Sequence, residues 1–265
     1  MQILSWAQFL KENNPFEGRR TAMTVGVFDG VHRGHKALIE QIAVYKKNTL
    51  PVVLAFTQSH HKKAEGPEYP GDILSLRQKT AIFESLGVLV TIVIEFTESF
   101  RQIKGSDFLK ILQEHGNMSF MAVGSNFRCG YKLDTDAALI QEINSQQGIP
   151  TGIIEPLTEA SRPISSSLIR TAIARGKLKT AAALLGHSYV IDAAGALMSA
   201  AGDDTVFNIS GQGLILPLPG KYGVFLYKKG SPGEKVPAEI RVEGGNLLIN
   251  TDLAGSHGLD YVEFQ

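Results

Sequence analysis

The chain has 265 residues, with 26 basic and 26 acidic side chains, 43% apolar residues and 20% charged residues. This is the composition of a globular protein long enough for two domains, and its zero net charge excludes partners held by bulk charge, whether nucleic acid or an anionic membrane. One cysteine, Cys129, excludes an internal disulfide framework and fits a reducing compartment.

In chain order, Met1–Trp6 lacks a basic region followed by a long apolar run, and no segment is apolar over the ~20 residues a bilayer span needs. A cytoplasmic protein with no membrane partner is therefore expected. From 24 to 186, strand-like and helix-like segments alternate. Met23–Phe28 is a short apolar run bounded by turn residues. Ala37–Tyr45 has the helical spacing of Leu38, Ile42 and Tyr45. Val52–Phe56 is β-branched and continuously apolar. Arg77–Leu86 reads as a helix closed by Gly87, and Val88–Phe96 as a strand. Ser106–His115 is a helix with Ser106 as the expected N-cap. Phe120–Val123 is a strand, Ala137–Gln147 a helix, and Gly152–Glu155 a further strand. Continuous apolar strands alternating with helices predict a parallel sheet covered on both faces. Ligands of such sheets bind beyond the carboxyl ends of the strands.

After Gly186 the pattern changes to short β-like runs separated by glycine turns. Leu214–Pro217, Tyr222–Tyr227, Ala238–Val242, Asn246–Ile249 and Leu259–Phe264 read as strands of a small antiparallel barrel or sandwich. The expected domains are 1–187 and 188–265.

The stretch Thr24–His35 carries the strongest signal: a buried strand, a glycine turn, and a helix start with histidines at 32 and 35. Residues three apart share a helix face, and a helix N-terminus attracts anions. Gly26 and Gly30 permit tight turning. Two imidazoles in the first turn suit a polyphosphate, because they donate hydrogen bonds where charge develops. Asp29 has two readings, ordering the turn through its own backbone or helping to organise Mg²⁺, with the turn role favoured. Further on, Ser165, Ser166 and Ser167 precede an apparent helix, Ser167–Arg175. They offer an N-cap and hydroxyl donors, and Arg170 adds a guanidinium suited to phosphate.

Val25-Gly26-Val27-Phe28-Asp29-Gly30-Val31-His32-Arg33-Gly34-His35 resembles the first motif of the prokaryotic FAD synthetases, and contains the His-x-Gly-His core of the wider nucleotidyltransferase superfamily. Gly124-Ser125-Asn126-Phe127-Arg128-Cys129-Gly130 resembles that family's Gly-x-(Asp/Asn)-Phe-x-Phe-Gly segment. Ile164-Ser165-Ser166-Ser167-Leu168-Ile169-Arg170 resembles its Ile-Ser-Ser-(Thr/Ser)-x-Ile-Arg segment. The likeness covers roughly 15–187. It implies a Rossmann-like nucleotidyltransferase domain with a parallel sheet, followed by a small antiparallel β-barrel domain related to riboflavin kinase. It also implies that AMP passes from ATP to FMN, giving FAD and pyrophosphate, with Mg²⁺ assisting. His32, His35, Ser165 and Arg170 would then be catalytic. Gly26, Phe28, Asp29, Gly30, Gly34, Asn126, Ser166 and Ser167 would bind the nucleotides. No side-chain cage for a metal is expected.

Two departures stand out. Cys129 replaces a frequent Phe, and the Phe-x-Pro-His-Pro run of the family is here Phe56-Thr57-Gln58-Ser59-His60-His61, read as a polar loop rather than a metal site. In the second domain, Ala201–Ile209 lacks the kinase's Gly-Phe-Pro-Thr-Ala-Asn run, and Gly245 stands where the kinase's basic glutamate is expected, with Glu243 nearby. A kinase-derived scaffold without kinase activity is the expectation. A bifunctional enzyme, a nucleotidyltransferase for another phosphorylated acceptor, and a non-catalytic flavin or nucleotide binder are the alternatives.

Overall fold

The computed structural model describes residues 1–11, 16, 18–45, 47–57, 69–231, 234–250, 252 and 258–265. His60 and His61 lie outside them. The chain divides into two compact units, 1–67 with 79–163, and 68–78 with 164–265.

The first unit is an α/β domain. Its sheet comprises β1 (Gln2–Ser5), β2 (Thr21–Gly26), β3 (Leu50–Phe56), β4 (Val90–Ile94), β5 (Met118–Gly124) and β6 (Thr151–Ile154). Their spatial order is β1-β4-β3-β2-β5-β6, and every pairing is parallel. The helices are α1 (Trp6–Lys11), α2 (Arg33–Ala43), α3 (Leu76–Ser85), α4 (Glu98–Arg101), α5 (Gly105–Gly116) and α6 (Ala137–Gln146), with α3 counted in this unit from Lys79 onward. β2 and β3 are buried along almost their whole length, as expected for strands covered on both faces. Met23, Val25, Val52, Leu54, Ile92, Leu109, Leu112 and Met121 form the heart of its core.

The order of the strands fixes where a ligand belongs. From β2 the chain moves outward through β3 to β4, whereas β5 returns to the opposite side of β2 and β6 continues outward from there. The switch point thus lies between the carboxyl ends of β2 and β5, where loops leave the sheet in opposite directions and open a crevice. The first two sequence motifs follow these two strands.

Local details differ from the sequence reading. β1 and α1 have no counterpart in it, because a four-residue strand and a six-residue helix are too short for a clear period. Ser106 is not the N-cap of α5. That position is Lys104, which makes no side-chain cap, and the Gly105 amide donates instead to Asp134 Oδ1 at 3.0 Å. Gly87, by contrast, closes α3 with φ 85°.

The second unit carries α7 (Ser166–Ala174), α8 (Leu178–Leu185) and an antiparallel sheet of seven strands: β7 (Val190–Asp192), β8 (Leu197–Ala201), β9 (Asp204–Asn208), β10 (Gly220–Lys228), β11 (Lys235–Glu243), β12 (Asn246–Asn250) and β13 (Leu259–Phe264). Their order is β7-β13-β10-β11-β12-β9-β8, so the expected antiparallel second domain is present as a half-barrel. Leu214–Pro217 is not one of its strands. Leu214 makes one parallel bridge with Asp72, and prolines at 217 and 219 withhold the N–H groups a ladder needs. The β8–β9 hairpin was missed. Its turn is Gly202-Asp203, with Gly202 at φ 62°, within the Ala201–Ile209 stretch that lacks the kinase motif. Gly245 also sits in a hairpin turn, between β11 and β12, at φ 81°.

Candidate active site

The turn after β2 is held in an unusual conformation. Phe28 has φ 51°, Gly30 φ 81° and Val31 φ 37°. Glycine adopts such angles freely, but a bulky Phe and a β-branched Val do so only when their surroundings hold them there. Phe28 is buried, with its ring edge-on to His35 at 5.2 Å and to Phe83 at 5.5 Å. Gly26 makes room for that ring: a Cβ there would stand 3.3 Å from it. Asp29 and Gly30 are buried within the turn.

His32 is the N-cap of α2. Its Nδ1 accepts from the His35 amide at 3.4 Å, a long bond but one that assigns the ring proton to Nε2. The His32 and His35 rings stack with centroids 3.6 Å apart and planes 18° from parallel. Gly34 permits this, since a Cβ there would meet the His32 ring at 3.3 Å. Two cationic rings would repel at such a distance, and both are held neutral. Burial lowers His32 to about 4 against a small opposing backbone hydrogen bond. Burial, then the His32 and Lys79 charges, hold His35 well below its ordinary range. His35 is half-buried as a residue, and its Nδ1 is enclosed with no hydrogen-bond partner among the described residues. The pair therefore offers neutral imidazole donors at a helix N-terminus, suited to charge that develops during a reaction.

Beside it, across the switch point, Asn126 lies exposed after β5. Phe127 and Cys129 pack against the core. Burial first, then the Asp134 carboxylate, push the Cys129 thiol up to about 12, so it is inert. Gly130, at φ 82°, closes the motif for a packing reason. A Cβ there would lie 2.0 Å from Asp134 Oδ1 and 2.3 Å from the Gly105 amide.

The third motif is in the second unit. Ser165 is the N-cap of α7, accepting from the Leu168 amide at 3.3 Å. Ser166 is half-buried and Ser167 exposed. Arg170 is only 6% exposed, with its guanidinium over the Tyr69 ring at 5.0 Å. Stacking covers a face of the guanidinium, while its donors lie in the plane. Tyr69 in turn donates its hydroxyl to Asp72.

The structure thus brings Gly26, Phe28, Asp29, Gly30, His32, Gly34 and His35 together in one turn of the first unit, with Asn126 following the neighbouring strand. It brings Ser165, Ser166, Ser167 and Arg170 together at the start of one helix in the second unit. The sequence reading missed Lys79. This lysine is 1% exposed on α3 and donates to the Val27 carbonyl at 2.9 Å. Its signal was present: Lys79 lies four residues before buried Phe83, on the apolar side of the helix. Among the described residues no group of three or more His, Cys, Asp or Glu is arranged to hold a metal, and no helix is long and apolar enough to cross a membrane.

Comparison with known proteins identifies the family. The bifunctional riboflavin kinase/FMN adenylyltransferase of Escherichia coli (strain K12) is 32% identical over 180 residues, 67% of this chain and 57% of that protein. The protein of the same description from Bacillus subtilis (strain 168) is 32% identical over 179 residues, 66% of this chain and 56% of that one. The chain thus aligns over less than two thirds of these relatives' length. A crystal structure described as a macrolide-efflux protein from Streptococcus pneumoniae shares the fold, with a TM-score of 0.80 at 19% identity, covering 100% of this chain and 89% of that one. The family model for FAD synthetase matches residues 15–168, which takes in the β2 turn, the Asn126 loop and the Ser165 helix start, and the chain belongs to the FAD synthetase family.

Proposed function

We propose that this protein is an FMN adenylyltransferase that uses Mg²⁺-ATP. The carrying observation is the stacked, neutral His32–His35 pair at the N-terminus of α2, at the topological switch point of a parallel sheet. An oxygen of the FMN phosphate attacks the α-phosphorus of ATP. The bond from that phosphorus to the bridging oxygen breaks, and pyrophosphate leaves with the bond's electron pair. No side-chain nucleophile takes part. The protein's task is to orient two polyanions and to stabilise charge on the transferring group. His32 Nε2–H and the α2 N-terminus donate to phosphate oxygens in this reading. Mg²⁺ enters with ATP as part of the substrate.

The Ser165–Arg170 helix start supplies a second anion-binding set, with a capped N-terminus and a buried guanidinium. Gly26, Phe28, Asp29, Gly30 and Gly34 shape the turn, and Asn126 contacts a nucleotide, in the same reading. The test is FAD formation from FMN and Mg²⁺-ATP by the parent and by His35→Ala, with products separated chromatographically. A loss of about 10²–10³-fold in the variant is expected from removing a preorganised donor. FAD formed equally by both would end this reading of the pair, and no FAD from the parent would favour a binder. A double-mutant cycle of His35→Ala with Arg170→Ala then tests whether the two sets act on one reaction. Non-additive losses are expected, and additive losses would separate them.

For the half-barrel, the reading is a kinase-derived scaffold without riboflavin kinase activity. Two sequence departures support it: Ala201–Ile209 lacks the kinase's Gly-Phe-Pro-Thr-Ala-Asn run, and Gly245, here in a hairpin turn, stands where the kinase's glutamate is expected. The described names of the relatives favour the bifunctional alternative. Riboflavin with Mg²⁺-ATP decides: FMN formed with turnover would establish the kinase.

A further inference from the structure

We propose that Lys79 is a positioning residue that, with Phe83 one helical turn later, clamps the strained β2–α2 turn onto α3 and so sets the angle of the histidine pair. Phe28 and Val31 both sit at positive φ, a conformation that bulky and β-branched residues adopt only under constraint, so something outside the turn must hold it. One hydrogen bond within the turn, from the Val31 amide to the Phe28 carbonyl at 3.1 Å, is local and cannot by itself choose between this conformation and a relaxed one.

Helix α3 reaches the turn at two points. The Lys79 ammonium donates to the Val27 carbonyl, the residue immediately before the strain begins. The Phe83 ring meets the edge of Phe28, which itself meets His35. Lys79 and Phe83 are four residues apart and therefore share a face of α3. Both are enclosed, at 1% and 0% exposure. The polar contact fixes the backbone at the entrance of the turn and the aromatic contact fixes its first side chain. From Phe28 the order passes to His35 and through the ring stack to His32. A lysine is otherwise a costly residue to bury, which argues that its donor is used. Lys79 also lies near enough to His35 to disfavour a charge on that ring, so the same residue helps keep the pair neutral.

The consequence for catalysis rests on the adenylyl-transfer reading, but the clamp itself does not. The deciding measurement is therefore made on the free protein. In Lys79→Met, amide hydrogen exchange at Val31 is expected to accelerate at least tenfold, while the Leu112 amide in α5 exchanges as in the parent. In the same variant His35 should titrate at higher pH by NMR. Unchanged Val31 exchange together with unchanged His35 titration would overturn the proposal. A measurement on the parent needs no variant: the Lys79 ammonium protons should exchange slowly enough to be observed, and fast exchange would overturn the proposal too. If the parent makes FAD, Lys79→Met should lower kcat at least tenfold with KM for FMN within twofold. If the parent makes none, the functional reading falls while the exchange data still decide the clamp.

Discussion

His32 and His35 carry no charge near neutral pH, and this makes a sharp statement about stability. Burial lowers the folded-state value of His32 to about 4 from an unfolded value near 6.5. Between those values the unfolded chain binds a proton that the folded chain refuses. Stability is therefore complete above pH 6.5 and lost as pH falls towards 4, at up to ~1.4 kcal/mol per pH unit for His32 alone. His35, shifted the same way, steepens the slope. Urea unfolding at several pH values between 4 and 7 measures it, and His32→Gln should flatten the dependence. A second prediction concerns Gly130. Its positive φ and a Cβ position overlapping Asp134 Oδ1 mean that Gly130→Ala must displace the loop that caps α5. A loss of about 2–4 kcal/mol in chemical unfolding is expected. The sequence made the two histidines legible because they fall in a compact motif. It did not show that they stack, or that Gly34 is needed for the ring of His32, because ring geometry depends on atoms the motif does not contain.

Helix α7 shows how far local rules reach. A run of serines before Leu168 and Ile169 predicts a capped start, and Ser165 caps it through the Leu168 amide. Ser165→Ala should cost about 1 kcal/mol of stability, read from thermal or urea unfolding. Arg170 behaves differently. Nothing local distinguishes it from a solvated arginine, yet it is buried beneath Tyr69, a residue roughly 100 positions earlier in the chain. Helix α5 is the converse. Ser106 has the right chemistry for a cap, but Asp134 supplies the acceptor from another loop. Tertiary competition decides between two acceptable acceptors, and sequence order does not reveal the winner.

In the second unit the long-range ties carry the architecture. Asp192, on β7, accepts from Arg77 at 2.6 and 3.0 Å, from Ser75 Oγ at 2.6 Å and from the Ala194 amide at 3.1 Å. Burial alone would push its carboxyl up, but the hydrogen bonds from Arg77 and Ser75 prevail and hold it below its ordinary range. Arg77 also lies over the Tyr261 ring at 4.2 Å. Asp192→Ala leaves these donors without their acceptor. It should cost about 2–4 kcal/mol in chemical unfolding. A change within ±0.5 kcal/mol would show that the cluster is not a fastening.

The segment from Tyr69 to Gln78 makes the same point. It belongs with residues after 164, where Asp72 bridges Leu214 and Gln78 donates to the Val190 carbonyl. Alternating apolar runs and helices determined the parallel α/β unit by themselves, because burial on both faces demands continuous apolar strands, and that demand is written locally. The motif around His32 determined the chemistry expected of the turn for a similar reason: its atoms are neighbours in sequence. Only the tertiary structure decided the strand order that places the β2 and β5 loops side by side, the burial that keeps the imidazoles neutral, and the place of Lys79 behind them. Each of these depends on which surfaces meet after the chain has folded, and contacts made across fifty or a hundred residues leave no periodic trace in the sequence.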